Sequence, residues 1–173
     1  KQDDDGGWLQ VLNHCTDNTV KDVMVSNEYL VIQIDTDACI QKNYDVDIYD
    51  ENHKKVTDDV LYERVCARLK QNISEDIWDE YSSRILFAIC FDETECWLLP
   101  LYYENDAKKR CATNNCIFIL NQKLQKEGVG IPAKDKNSPE AIKVYLQVLR
   151  KMKRKDIPRT AQYNYGFQKF VEQ

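Results

Sequence analysis

The spacing of apolar residues changes several times along the chain. Over residues 23–34, Tyr29, Val31 and Gln33 alternate with Leu30, Ile32 and Ile34, a two-residue period that predicts a strand. Tyr44-Asp-Val-Asp-Ile-Tyr49 repeats that pattern more cleanly. Tyr44, Val46 and Ile48 share one face there, and Asp45, Asp47 and Tyr49 the other. Asp50-Glu-Asn-His-Lys54 reads as a turn. From Thr57 the period lengthens to that of a helix. Leu61, Val65 and Leu69 recur every four residues, Thr57 stands at the N-cap, and Asp58 and Asp59 suit the first turn. Ser74 opens a second helix in the same way, with Glu75 and Asp76 early.

The second half of the chain reads as a hairpin followed by helices. Residues 84–91 form a strongly apolar strand. Cys96-Trp-Leu-Leu-Pro-Leu-Tyr-Tyr103 is its expected antiparallel partner, bulged or at an edge because Pro100 cannot donate to a ladder. Cys116-Ile-Phe-Ile-Leu120 reads as a further short strand, leading into a helix over 121–127 that Gly128 ends. Ser138-Pro139-Glu140 is a strong helix start, with Ser as N-cap and Pro at the first helical position. Ile142, Tyr145, Leu146, Leu149 and Met152 then form one apolar stripe. Short strands interrupted by three or four helices predict an α+β fold, a small antiparallel β-barrel of Tudor or OB (nuclease-like) type with flanking helices. Residues 1–132 are its expected body. Residues 133–173 are a basic C-terminal helix and aromatic tail packed on that body.

Charge sharpens this division. The net charge of −5 is unevenly placed: residues 133–173 carry ten Lys or Arg against four Asp or Glu, and the preceding residues 14 against 25. An acidic body repels phosphate backbones and favours basic partners. The longest apolar runs fall far short of the roughly 20 residues of a membrane helix. The seven cysteines, at 15, 39, 66, 90, 96, 111 and 116, are odd in number and form no CxxC pair. They read as reduced thiols, and the chain as cytoplasmic. The first residues, Lys1-Gln-Asp-Asp-Asp-Gly-Gly, are polar and acidic, unlike a signal peptide, and the missing initiator Met suggests a segment of a longer protein.

Catalytic patterns are weak. The chain has five glycines and no phosphate-loop, GxSxG or HExxH motif. His14 abuts Cys15, but neighbours on one segment seldom face each other as nucleophile and base. Cys111 and Cys116 have loose zinc spacing and no second pair. The reading is therefore not an enzyme, with no cofactor, no metal and no small-molecule substrate. Asp45 and Asp47, on one strand face, suit an arginine or a divalent ion, though a solvated strand face explains them as well. Tyr29, Tyr44, Tyr49, Asp50 and His53 gather around the first expected hairpin, where aromatics and acids attract cationic side chains. Arg150, Lys151, Lys153, Arg154 and Lys155 form a basic helix end close to Tyr163, Tyr165 and Phe167, an alternative surface for single-stranded RNA.

Two segments together resemble an extended Tudor domain, in which a Tudor barrel is joined to a staphylococcal-nuclease-like fold. The first is Tyr44-Asp-Val-Asp-Ile-Tyr-Asp-Glu-Asn-His-Lys-Lys-Val56 with Leu61 after it. The second runs from Ile77-Trp78 through Ile85-Leu-Phe-Ala-Ile and Trp97-Leu-Leu-Pro-Leu-Tyr to Asn121-Gln-Lys-Leu-Gln-Lys-Glu-Gly128. The resemblance spans about residues 23–132. It implies a scaffold in ribonucleoprotein granules that recognises methylated arginines on Piwi-type proteins. Glu51 stands where the family's turn has a cage Tyr and His53 where it has the cage Asn, so the methylarginine cage is incomplete. Thr94-Glu-Cys-Trp lacks the nuclease arginine. The expectation is a non-catalytic module for a basic or Arg-rich peptide, with no membrane partner.

Overall fold

The computed structural model describes residues 7–16, 18–131, 136 and 138–173. Helix dominates, at 59%, and the only sheet among the described residues has two parallel strands and is open. The expected antiparallel β-barrel is therefore absent. The chain divides into two compact units, residues 1–89 with Gln173 and residues 90–172.

In the first unit, α1 (Gly7–Thr16) and α2 (Thr19–Ser26) precede β1 (Leu30–Asp35), and α3 (Asp58–Asn72) and α4 (Glu75–Tyr81) precede β2 (Ile85–Cys90). Parallel strands require a long crossover, and residues 36–84 supply it. β1 keeps the predicted alternation, with Ile32 and Ile34 buried and Val31 and Gln33 exposed. Its expected beginning at Val23 was wrong. Val20 and Met24 are buried one helical turn apart, so that stretch belongs to α2. β2 is buried almost throughout, as a strand covered on both faces must be. α3 follows its predicted stripe, with Leu61, Val65 and Leu69 buried, and packs on α1. α4 starts after Ser74 as expected, and its Trp78 stacks on Phe87 of β2 at 5.9 Å.

Three expected strands do not form. Residues 44–49 are irregular, with one antiparallel bridge between Tyr49 and Lys55. Thr94–Leu98 is a 3₁₀ turn, and it runs into α5 (Leu99–Tyr102). Pro100, a problem for a strand, suits the first turn of a helix, where its missing N–H has no partner to lose. Cys116–Leu124 is α7, following α6 (Ala107–Arg110). Cys116, Leu120 and Leu124 are buried at four-residue spacing, the period of a helix rather than a strand.

The second unit packs α7 against α5 and the 94–98 turn around Leu99, Leu120 and Leu124. A disulfide joins Cys96 to Cys116 within that cluster. The expectation of reduced thiols fails at this pair. The other five cysteines are thiols, and Cys111 alone of them is exposed. Gly128 closes the helical segment in the left-handed region (φ +77°), as its position implied. α8 (Pro139–Leu149) begins as predicted, with Ser138 Oγ accepting from the Ala141 N–H at 3.2 Å. Its buried face is Ala141 and Val148; of the stripe read from the sequence, Tyr145 and Met152 pack half-buried against the core of the unit, whereas Ile142, Leu146 and Leu149 are exposed. The tail folds into α9 (Ile157–Ala161) and α10 (Tyr165–Glu172), and Trp97 stacks on Phe167 at 4.5 Å. No described helix is long and apolar enough to cross a membrane.

Candidate functional site

The segment between β1 and α3 has little regular structure, so its shape must come from elsewhere. Two arginines on one face of α3, a turn apart, supply it. Arg64 Nη1 donates to the carbonyls of Asp47 at 2.6 Å and Tyr49 at 2.9 Å. Arg68 donates through Nε to Tyr44 O at 2.9 Å and through Nη2 to Asn43 O at 2.8 Å, and a further nitrogen reaches Asn72. Guanidinium groups, with five donors in a rigid fork, suit this role. Asn43 and Asp45 take positive φ, at 81° and 56°, a conformation that Asn and Asp tolerate better than most residues. Tyr44 lies between them and is fully buried. It stacks on Trp8 at 5.5 Å, and its hydroxyl donates to Asp35 O at 3.2 Å.

With Tyr44 anchored inward, the neighbouring residues face outward. Asp45, Asp47, Tyr49, Asp50 and Glu51 line an open cleft of about 450 Å³ whose other wall is Arg64, Ala67, Arg68 and Gln71 of α3. A second depression of about 460 Å³, reaching Ile40, shares Asp45, Asp47 and Tyr49 with it. Tyr49 is 45% exposed. Four carboxylates against two guanidiniums leave the lining formally negative. Asp47 Oδ1 accepts from the Tyr49 N–H, and Asp50 Oδ1 from the N–H groups of Asn52 and Lys54. Those two acids thus also shape the turn.

The five residues expected to form one binding surface are separated. Tyr49 and Asp50 line the cleft. Tyr44 lies in the core behind it. Tyr29, 55% exposed beside β1, and His53, at the turn tip with φ 57°, are outside its lining. Asp45 and Asp47 were legible as a pair of acids on one face; Glu51, Arg64 and Arg68 join them only through the fold.

The alternative basic surface is partly occupied. Lys151 pairs with Glu127 at 2.8 Å and lies over the Tyr102 ring at 4.6 Å, whereas Arg150, Lys153, Arg154 and Lys155 are exposed. The Glu127 carboxylate raises the pKa of Lys151, against a smaller effect of burial. The aromatics that would stack bases are committed to the protein. Arg110 covers Tyr163 at 4.1 Å, Phe91 meets Tyr165 at 6.2 Å, and Phe167 lies against Trp97.

The acids at 92–95 are used internally. Asp92 Oδ2 accepts from the Asn115 N–H and Glu93 Oε1 from the Ile117 N–H, at the start of α7. Lys136 Nζ lies 2.8 Å from Glu93 and 3.1 Å from the buried Glu95, which also accepts from the Tyr145 hydroxyl. Burial works against the Lys136 ammonium, but the two carboxylates outweigh it and raise its pKa above the ordinary lysine value. Among the described residues no three His, Cys, Asp or Glu side chains converge on a metal position, and Cys116 is committed to its disulfide. His14 Nδ1 lies 3.4 Å from Thr19 Oγ1, and Cys15 is buried beside an apolar cavity of about 280 Å³ between α1, α2 and β1. No family model, no curated protein and no solved structure matches this chain.

Proposed function

We propose that the first unit is a non-catalytic docking module that takes a basic, arginine-containing peptide strand of a partner protein along the cleft at residues 45–51. The observation that carries this reading is the division of labour in the cleft. Its own two arginines are engaged by backbone carbonyls, and its carboxylates and the half-exposed Tyr49 ring face the opening. A guanidinium entering there gains charge-assisted hydrogen bonds from carboxylates and a cation–π contact from the tyrosine. Tyr49 is the only aromatic residue of this lining, so the cleft lacks the several-ring cage that selects methylated arginine. Binding is expected to be independent of methylation.

Titration calorimetry with an Arg-rich peptide, unmodified and symmetrically dimethylated, tests this. The expected result is similar affinity for the two forms, weakened about tenfold by Tyr49→Ala or by Asp45→Asn with Glu51→Gln. Absence of heat with both peptides, or unchanged affinity in both variants, removes the reading.

A further inference from the structure

Three aliphatics of the α8 stripe face outward. Ile142, Leu146 and Leu149 are 50%, 55% and 46% exposed, although Ala141 and Val148 anchor the same helix in the core of its unit. Their spacing of four and three residues places them on one face over about two turns. Helical geometry sets Lys143 and Arg150 on the flank of that stripe away from the buried face, and Lys153, Arg154 and Lys155 follow at its C-terminal end. All five are exposed, and none forms an ion pair among the described residues. Isolated exposed aliphatics are ordinary, but a row of three at helical spacing beside unpaired cations is the pattern of a helix that packs on another helix.

We infer that this face of α8 is a docking surface for an acidic amphipathic helix of a partner protein. Aliphatics of the partner cover Ile142, Leu146 and Leu149, and its Asp or Glu residues at flanking positions meet Lys143 and Arg150. Charge complementarity selects this occupant. A second copy of the same face would bring like charges together. Three half-exposed aliphatics also offer far less than the roughly 800 Å² per partner of a stable interface, so the electrostatic share must be large. A nucleic acid would use the cations and leave the aliphatics wet. An interfacial membrane helix immerses its apolar face by roughly 5–10 Å, and the exposed row is already half-covered by its own unit, with no aromatic ring among Ile142, Leu146 and Leu149 to anchor at the headgroups.

The probe is a synthetic amphipathic helix with leucines at alternating three- and four-residue spacing and flanking glutamates, titrated against the full chain by fluorescence anisotropy. A version with lysines replacing the glutamates, anionic phosphatidylserine vesicles and a single-stranded oligouridine serve as competitors. The expected result is saturable binding of the acidic helix, weakened about tenfold by Leu146→Asp and by the lysine version. Binding of the lysine version should be restored by Lys143→Glu with Arg150→Glu, a variant that changes only exposed side chains. Equal binding of the acidic and lysine helices to a chain carrying Asp45→Asn with Glu51→Gln, which weakens the basic-peptide cleft, overturns the inference, as does an affinity that Leu146→Asp leaves unchanged. Preferential capture by the vesicles or the oligouridine overturns it in favour of a lipid or nucleic-acid surface.

Discussion

The segment 36–56 is largely irregular and the segment 92–116 is built of short helical turns joined by loops, and the protein holds them by opposite means. In the first, cations of a helix grip backbone carbonyls, and the segment's own acids are left at an opening. In the second, the acids do the holding: Asp92 and Glu93 accept the N–H groups at the start of α7, and Glu93 and Glu95 clamp Lys136. A disulfide ties the two ends of that region together. Basic residues are divided in the mirror sense, engaged at Arg64 and Arg68 but outward at Arg150, Lys153, Arg154 and Lys155. The lesson is that a run of charge does not reveal its own use. A charged side chain is available to a partner only where another group has already satisfied the local backbone.

The comparison can be tested from its strongest support downward. Replacing Cys116 with Ala opens a loop of 20 residues and removes a buried sulfur contact. Denaturant melts followed by Trp97 fluorescence are expected to lose about 3 kcal/mol. Glu95→Gln leaves Lys136 with Glu93 alone, and hydrogen exchange should rise around α7 and α8 at a cost of about 2 kcal/mol. The same cluster gives an alkaline signature. The folded pKa of Lys136 is raised, so its contribution is complete below the unfolded value of about 10.4 and is lost as pH rises through the folded one. Burial likewise raises the thiol of Cys66, to about 11, and the hydroxyl of Tyr102, so both add to instability in alkali. A thermal midpoint that does not fall between about pH 9 and 11 would contradict these shifts.

Arg68→Ala removes donors from two carbonyls and should cost about 2 kcal/mol, with faster exchange confined to residues 43–50 and to α3. Exchange that rises equally across the 92–116 region would erase the contrast between the two segments. The smallest effect is expected for Asp45→Asn with Glu51→Gln. Stability should change by less than about 0.5 kcal/mol, because these acids are exposed, while peptide binding at the cleft weakens about tenfold. A large loss of stability there would mean that the acids hold the segment rather than serve a partner.

What could be read in advance was local. Thr57 with its following acids, Ser74, the Ser138-Pro139 start and Gly128 each placed an element end, because caps and left-handed glycine act within one turn of chain. The stripes of α3 and the apolar run of β2 were equally plain. The run 96–103 and the stretch 116–120 were misread as strands because short apolar runs satisfy both periods. The four-residue spacing of Cys116, Leu120 and Leu124 carried the helical signal, and extending the window past Leu120 would have found it. Without those strands, and with residues 44–49 irregular, no barrel can close.

The sequence alone determined where α3, α4 and α8 begin, where Gly128 ends its helical segment, and which residues are oily, acidic or basic, since these follow from side chains and their near neighbours. Only the tertiary structure decided how each was used. Trp8 drew Tyr44 into the core across 36 positions, Arg64 and Arg68 secured carbonyls 15 to 25 residues earlier, and Ala141 with Val148, rather than the larger aliphatics, became the buried face of α8. Those choices are competitions between distant groups for the same neighbour. Their outcome depends on which surfaces the whole chain brings together, and no window of sequence contains both contestants.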